Sequence, residues 1–165
     1  MNPFRRKLKT LKGLKAVVDR LRRRGKKIVL ANGCFDLLHV GHVRYLAEAK
    51  SFGDLLIVAV NGDRSVRRLK GKGRPLMPEA ARAELIAGFE CTDYVVVFHE
   101  PNVERLLRAI RPDIHVKGGD YTPDTVPERA VVKSYGGRVA IAGGPKVRST
   151  REIIAQVRRF QSRIV

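Results

Sequence analysis

The stretch Ile28-Val29-Leu30-Ala31-Asn32-Gly33-Cys34-Phe35-Asp36-Leu37-Leu38-His39-Val40-Gly41-His42 runs from a short apolar segment through Asn-Gly into a helical pattern over residues 41–51. An apolar run of this length, stopped by turn residues, predicts a strand buried on both faces. The same pattern returns at residues 55–60, where Leu-Leu-Ile-Val-Ala-Val leads into Asn61-Gly62. Residues 94–98, 114–116 and 139–142 are three further β-rich runs. Between the runs, apolar spacing predicts helices over 79–89, 103–110, roughly 127–135, and 150–160.

Strand and helix therefore alternate with short connections, which is the pattern of right-handed βαβ units. The expected fold is a single α/β domain, a Rossmann-like open parallel five-stranded sheet with helices on both faces. Ligands of such sheets sit at the carboxyl ends of the strands, so the residues just after each strand are the candidates for function. Leu8, Leu11, Leu14, Val18 and Leu21 recur at helical spacing ahead of the first strand, and Gly25 ends the pattern. Residues 1–27 thus read as a basic N-terminal helix packed on or flanking the domain, with residues 28–165 as the domain proper. The segment Lys70 to Arg74, rich in Gly and Lys, reads as a loop.

The net charge of +18 on 165 residues suggests a polyanionic partner, but its distribution argues otherwise. Twelve of the 34 basic residues lie in the first 27 positions, against one acid, Asp19, so much of the excess belongs to one segment. No helix-turn-helix, finger or RNA-binding aromatic signature is present, so nucleic acid is not the expected partner. No apolar run approaches the ~20 residues of a membrane span, and no apolar segment follows Arg5, Arg6 and Lys7. The expectation is a cytoplasmic protein without a membrane partner, with Cys34 and Cys91 as free thiols.

His39 and His42 lie three residues apart around Gly41, where the first strand gives way to a helix. On a first helical turn both imidazoles project near one face, beside main-chain N–H groups and a dipole that favour phosphate. Gly41 lets a phosphate approach the backbone. Two imidazole donors there suit the phosphates of a nucleoside triphosphate. Structural packing and metal ligation are the competing readings of the pair. The i, i+4 His spacing of a zinc helix and its Glu are absent, and no protein metal site is expected.

Residues 32–46, Asn-Gly-Cys-Phe-Asp-Leu-Leu-His-Val-Gly-His-Val-Arg-Tyr-Leu, resemble the signature of the cytidylyltransferase-like nucleotidyltransferases with the HxGH motif. Asn61-Gly62-Asp63-Arg64-Ser65-Val66, Leu69-Lys70-Gly71, Arg74-Pro75 and Lys117-Gly118-Gly119-Asp120-Tyr121 resemble, in order and spacing, the heptose 1-phosphate adenylyltransferase branch. The resemblance spans about residues 8–160. HxGH marks the superfamily, and its combination with Lys-Gly-Gly-Asp-Tyr is more selective.

The resemblance implies that Gly33, Cys34 and Phe35 line the nucleotide site and that His39 and His42 contact its phosphates. It implies that Lys70 and Lys72 reach the triphosphate or the acceptor phosphate and that Arg82 faces the phosphates. It also implies that Asp36, Asn61 and Asp63 serve the acceptor, while Lys117, Gly118 and Asp120 shape the nucleotide side. Simpler readings are a surface arginine for Arg82, a turn for Gly118 and a cap for Asp120. Arg148-Ser149-Thr150-Arg151 corresponds to the Ser-Thr-Thr or Ser-Ser motif at the start of the family's last helix, which implies that Arg148, Ser149 and Thr150 bind the nucleotide, with Ser149 as the cap and the first-turn donors on β- and γ-phosphate oxygens. The chain departs from that pattern, since Arg151 replaces the second Thr and Arg148 precedes the Ser. Glu100-Pro101-Asn102 likewise replaces the family's Glu-Asp-Thr-Pro.

The reaction implied is transfer of a nucleotidyl unit, from ATP first and CTP second, to a phosphorylated small-molecule acceptor. The acceptor would be a sugar 1-phosphate, or glycerol phosphate in the cytidylyl alternative, with Mg2+ carried mainly on the triphosphate. A homodimer is common in the family. A non-catalytic basic binding protein on the same fold is the alternative of another class.

Overall fold

A computed structural model describes residues 4–145 and 149–161, with Arg151 by its backbone alone. The elements in chain order are α1 (Leu11–Arg22), β1 (Ile28–Gly33), α2 (Val40–Ser51), β2 (Leu55–Asn61), α3 (Asp63–Lys70), α4 (Glu79–Ala87), β3 (Tyr94–Phe98), α5 (Glu104–Ile110), β4 (Ile114–Gly118), α6 (Arg129–Ser134), β5 (Arg138–Ala142) and α7 (Thr150–Gln161).

All four strand pairings are parallel, in the order β3-β2-β1-β4-β5. The apolar runs are continuous because the inner strands are covered twice: all seven residues of β2 are buried. Side chains alternate between two cores. Val29, Ala31, Leu56, Val58, Ile114 and Val116 face Tyr45, Leu46 and Ala49 of α2 and Ala83, Ile86 and Ala87 of α4. Ile28, Leu30, Ile57 and Ala59 face Leu14 and Val18 of α1, Leu106 and Leu107 of α5, and Val131 and Val132 of α6. The five-stranded α/β architecture expected from the sequence is the one observed.

Two local differences have physical causes. The helical periodicity from Leu8 is cut short because Leu8 bridges Val95 on the β3 edge, where the Lys9 N–H donates to the Val95 carbonyl at 2.9 Å. Thr10 then caps α1, its hydroxyl accepting from the Gly13 N–H at 3.2 Å. The second difference is α3, a helix that the apolar spacing of residues 63–70 does not predict. Its Arg64, Arg67, Arg68 and Lys70 are exposed, and only Ser65 and Val66 are buried, too little apolar stripe to show as a period. Among the described residues, no helix is long and apolar enough to cross a membrane.

The chain runs outward from β1 to β2 and β3, then returns to place β4 on the other side of β1. Strand order reverses between β1 and β4, so a crevice opens at their carboxyl ends. The β1–α2 turn with His39 and His42 flanks it on one side, and Lys117-Gly118 on the other.

Candidate functional site

The start of α2 is built by the two histidines themselves. His39 is the cap residue, with extended backbone, and its Nδ1 accepts from the Gly41 N–H at 3.2 Å. His42 answers in the other direction, its Nδ1 accepting from the His39 N–H at 3.3 Å. This is a capping box in which imidazoles replace the usual hydroxyl and carboxylate. Since both Nδ1 atoms accept main-chain hydrogens, each neutral ring carries its proton on Nε2. The rings stack with centroids 3.9 Å apart, and His42 meets Phe35 edge-on at 5.4 Å. Burial, with the adjacent His39 ring, pulls the His42 pKa down to about 4. His42 is therefore neutral near pH 7, a hydrogen-bond donor without charge.

The preceding loop is held by buried polar contacts. A Cβ on Gly33 would lie 3.0 Å from the Phe35 ring, so the absence of a side chain here gives Phe35 its close seat against the strand end. Asp36 is almost wholly buried, and its carboxylate accepts from Arg74 and from the main-chain N–H groups of Leu76 and Met77. Burial alone would raise its pKa, but these hydrogen bonds and the Arg74 charge bring it below the ordinary value. Both oxygens are thus committed to the 74–77 segment, so Asp36 serves here to hold that segment against the β1–α2 turn. Burial raises the Cys34 thiol, opposed by the charges of Lys70, Arg82 and Arg74.

Arg82 is neither on the surface nor facing the crevice. It has no exposed surface and donates to the Cys34 and Met77 carbonyls and to Asp63 Oδ1, the last at 2.7 Å. Asp63 in turn is half-buried, and its N–H is capped by Glu79 at 2.7 Å. Asn61 is buried and donates to Ser65 at 3.0 Å. Arg82 and Asp63 form a brace between α4, the loop after β1 and the start of α3, while Asn61 ties the end of β2 to α3. Lys70 and Lys72 lie exposed at the end of α3 and on the following turn, where Gly71 and Gly73 take positive φ.

On the β4 side, Lys117 points its ammonium 3.4 Å from Asn32 Oδ1 and 3.4 Å from Glu128 Oε1, with the Tyr121 ring centroid 5.0 Å away. Gly118 has open space where a Cβ would be, whereas Gly119 lies against the Gly144 carbonyl, which a Cβ would approach to 2.5 Å. Asp120 is exposed on this turn. The sequence reading missed Asn32, Glu128 and the supporting Tyr45, whose hydroxyl donates to the Val116 carbonyl at 2.7 Å. One signal was available: His115 and Lys117, two residues apart in an apolar strand, share a face that demands a polar partner.

The start of α7 reaches the same loop. Ser149 and Glu152 form a capping box, with Glu152 N donating to Ser149 Oγ at 3.2 Å and Ser149 N to Glu152 Oε2 at 2.9 Å. The Thr150 hydroxyl donates to the Asp36 carbonyl at 2.8 Å and approaches that of Leu37 at 3.2 Å. Arg148 lies outside the described residues. The α7 start, the β1–α2 turn and the histidine cap are thus brought together, with Lys117-Gly118 across the switch point. Among the described residues, no group of three or more His, Cys, Asp or Glu converges as a metal site.

Strand order, switch-point crevice and helix-start donors are those of a Rossmann-like nucleotide-handling α/β domain. The chain belongs to the cytidylyltransferase-like family, whose model matches residues 30–159. It is 53% identical over 153 residues to the Bifunctional protein HldE of Geobacter metallireducens and 52% identical over 152 residues to that of Geotalea uraniireducens. These matches cover 93% and 92% of this chain, which spans about a third of the length of those relatives (31%). The solved lipopolysaccharide core biosynthesis protein of Thermoplasma volcanium superposes with a TM-score of 0.61 at 35% identity, covering 71% of this chain and 94% of that one. A pantoate-beta-alanine ligase from Francisella tularensis shares the fold, with a TM-score of 0.58 at 15% identity over 87% of this chain and 68% of that one.

Proposed function

We propose that this chain transfers the AMP unit of ATP to a sugar 1-phosphate, heptose 1-phosphate first, forming an ADP-sugar and releasing pyrophosphate. The observation that carries the reading is the reciprocal His39–His42 cap, in which each Nδ1 accepts a main-chain hydrogen so that the ring proton sits on Nε2, at a helix start beside the switch point. Identity of about half with the HldE proteins over most of this chain supports the heptose branch.

In this reading an oxygen of the acceptor phosphate attacks the α-phosphorus in line. The new P–O bond forms as the bond to the bridging oxygen of pyrophosphate breaks, and that oxygen takes the electron pair. The acceptor is already anionic, so no protein nucleophile is needed and the protein contributes position and charge stabilisation. His39 and His42 donate to phosphate oxygens, Gly41 admits them close to the backbone, and Lys117 with Gly118 meets the nucleotide from the β4 side. Lys70 and Lys72 supply uncompensated charge for the triphosphate and acceptor phosphate. Asp36, Asn61, Asp63 and Arg82 keep the loops that carry these groups in place. Mg2+ accompanies the triphosphate, held by phosphate oxygens and water, and when bound it offsets phosphate charge.

Pyrophosphate release measured for the four common NTPs against heptose 1-phosphate, other sugar 1-phosphates and glycerol 3-phosphate tests the assignment. ATP with a sugar 1-phosphate is expected to give the highest kcat/KM. Preference for CTP with glycerol 3-phosphate would replace the adenylyl reading by the cytidylyl one. Sedimentation of the active protein tests the homodimer, which we include in the proposal.

A further inference from the structure

β1 and β4 carry a column of polar groups on one face of the sheet, opposite the face that packs on α2. Register places Leu30 beside His115, and two residues further toward the crevice the Lys117 ammonium lies 3.4 Å from Asn32 Oδ1. Both His115 and Lys117 are buried, at 0% and 8% exposure. His115 Nδ1 lies 3.3 Å from the Leu30 carbonyl, an acceptor only, so that nitrogen carries the hydrogen. Over this column, from the turn before α6, comes Glu128, itself 6% exposed. Its Oε1 stands 3.4 Å from the Lys117 ammonium and its Oε2 3.7 Å from His115 Nε2. Glu128 Oε2 and His115 Nε2 have no hydrogen-bond partner.

A carboxylate in this position is costly, and an ion pair removed from water adds little to stability over an apolar trio of the same volume. Burial works against its ionisation, yet the neighbouring Lys117 ammonium favours the charged form and draws the Glu128 pKa below the ordinary carboxylate range. What it provides is direction. A lysine stem has four rotatable bonds and an ammonium with three donors. Asn32 and Glu128 engage that ammonium from two sides, with the Tyr121 ring centroid 5.0 Å away. We propose that Glu128 is a positioning residue that fixes the Lys117 ammonium at the mouth of β4, leaving its remaining N–H for a phosphate oxygen of the nucleotide. Because Glu128 offsets its charge, Lys117 then acts as an aimed donor, in contrast to the exposed Lys70 and Lys72.

The kinetic consequence rests on the transfer reading, and the structural consequence does not. Glu128→Gln, Lys117→Met and the double variant form a cycle read by ATP KM and kcat in pyrophosphate release. Glu128→Gln is expected to raise ATP KM on the order of tenfold with little change in kcat, as for a group that binds substrate and transition state alike. In the Lys117→Met background it should add nothing, and Glu128→Asp should recover part of the loss. Multiplying effects, or an unchanged KM in Glu128→Gln, would overturn the proposal. A crystal structure of Glu128→Gln, or of Glu128→Asp if the first does not fold, gives the independent readout. Lys117 displaced from Asn32 supports the proposal, and Lys117 unmoved overturns it. If the wild-type chain releases pyrophosphate from no pair of substrates, the transfer reading falls, and this structural result alone decides the role of Glu128.

Discussion

Arg82 Nη2 stands 2.7 Å from Asp63 Oδ1, a guanidinium with no exposed surface against a carboxylate side chain that keeps 35% of its own. The same guanidinium satisfies the Cys34 and Met77 carbonyls. Arg82→Met should therefore lower stability by roughly 2–4 kcal/mol, less than for a fully buried pair because Asp63 stays partly hydrated. Urea unfolding should show an earlier midpoint at unchanged slope. A loss below about 1 kcal/mol would show that the brace is dispensable.

His39→Ala and His42→Ala each remove half of the reciprocal cap and one Nε2–H donor. The cap is worth about 1 kcal/mol, whereas a donor aimed at developing charge is worth about 100-fold or more in turnover. Each variant should remain folded by circular dichroism while kcat falls by that factor. Normal turnover in both, with every NTP and acceptor, would sink the assignment.

Acid titration should expose His42 as well. Its folded pKa is about 4, below its value of 6.5 when unperturbed. Between those values the unfolded chain binds a proton that the folded chain does not, so stability is full above pH 6.5 and falls as pH drops toward 4. The loss should be about 2–3 kcal/mol. His42→Gln should remove this part of the slope, and urea midpoints that depend on pH equally in both proteins would refute it. Glu128, held below its ordinary value of 4.5, contributes its share mainly at lower pH.

Neighbouring glycines of the β4 turn should behave oppositely. Gly119→Ala forces a Cβ against the Gly144 carbonyl, a main-chain atom that cannot swing aside, and should cost about 1–3 kcal/mol. Gly118→Ala meets nothing within 4 Å and should unfold at nearly the wild-type urea midpoint. Its effect, if Gly118 lies against the nucleotide, should appear in ATP affinity by calorimetry.

Thr150→Val keeps the shape of the side chain and deletes the hydrogen bond to the Asp36 carbonyl. Stability should fall by about 1 kcal/mol, with ATP affinity falling further as the start of α7 loses its seat. Thr150→Ser should restore both. Unchanged affinity in the valine variant would separate α7 from the site.

The sheet was legible because β1 and β2 are buried on both faces, and that burial writes uninterrupted apolar runs into the sequence. His39, His42 and Gly41 were legible as a group because they are neighbours in the chain. What escaped was made by distance. Arg82 meets Cys34 across 48 positions and Lys117 meets Asn32 across 85, and no local pattern records either partner. The buried state of Arg82 was hidden for a further reason: α4 has a weak apolar stripe, and an arginine on such a helix looks solvent-facing until its three acceptors are known. α3 went unread because its basic side chains outnumber its two buried residues.

The contacts around Tyr45 close on themselves. Its hydroxyl binds the Val116 carbonyl, its Cβ is 3.2 Å from where a Cβ on Gly143 would stand, and the Gly143 N–H donates to Glu48 one turn along the same helix. The next residue, Gly144, abuts Gly119. Helix α2, strand β4 and the turn after β5 are thereby bolted into one frame that carries His39, His42 and Lys117 together. The two sides of the crevice are thereby held to one scaffold behind them, whereas Lys70 and Lys72 stand beside Gly71 and Gly73, which have open space around them.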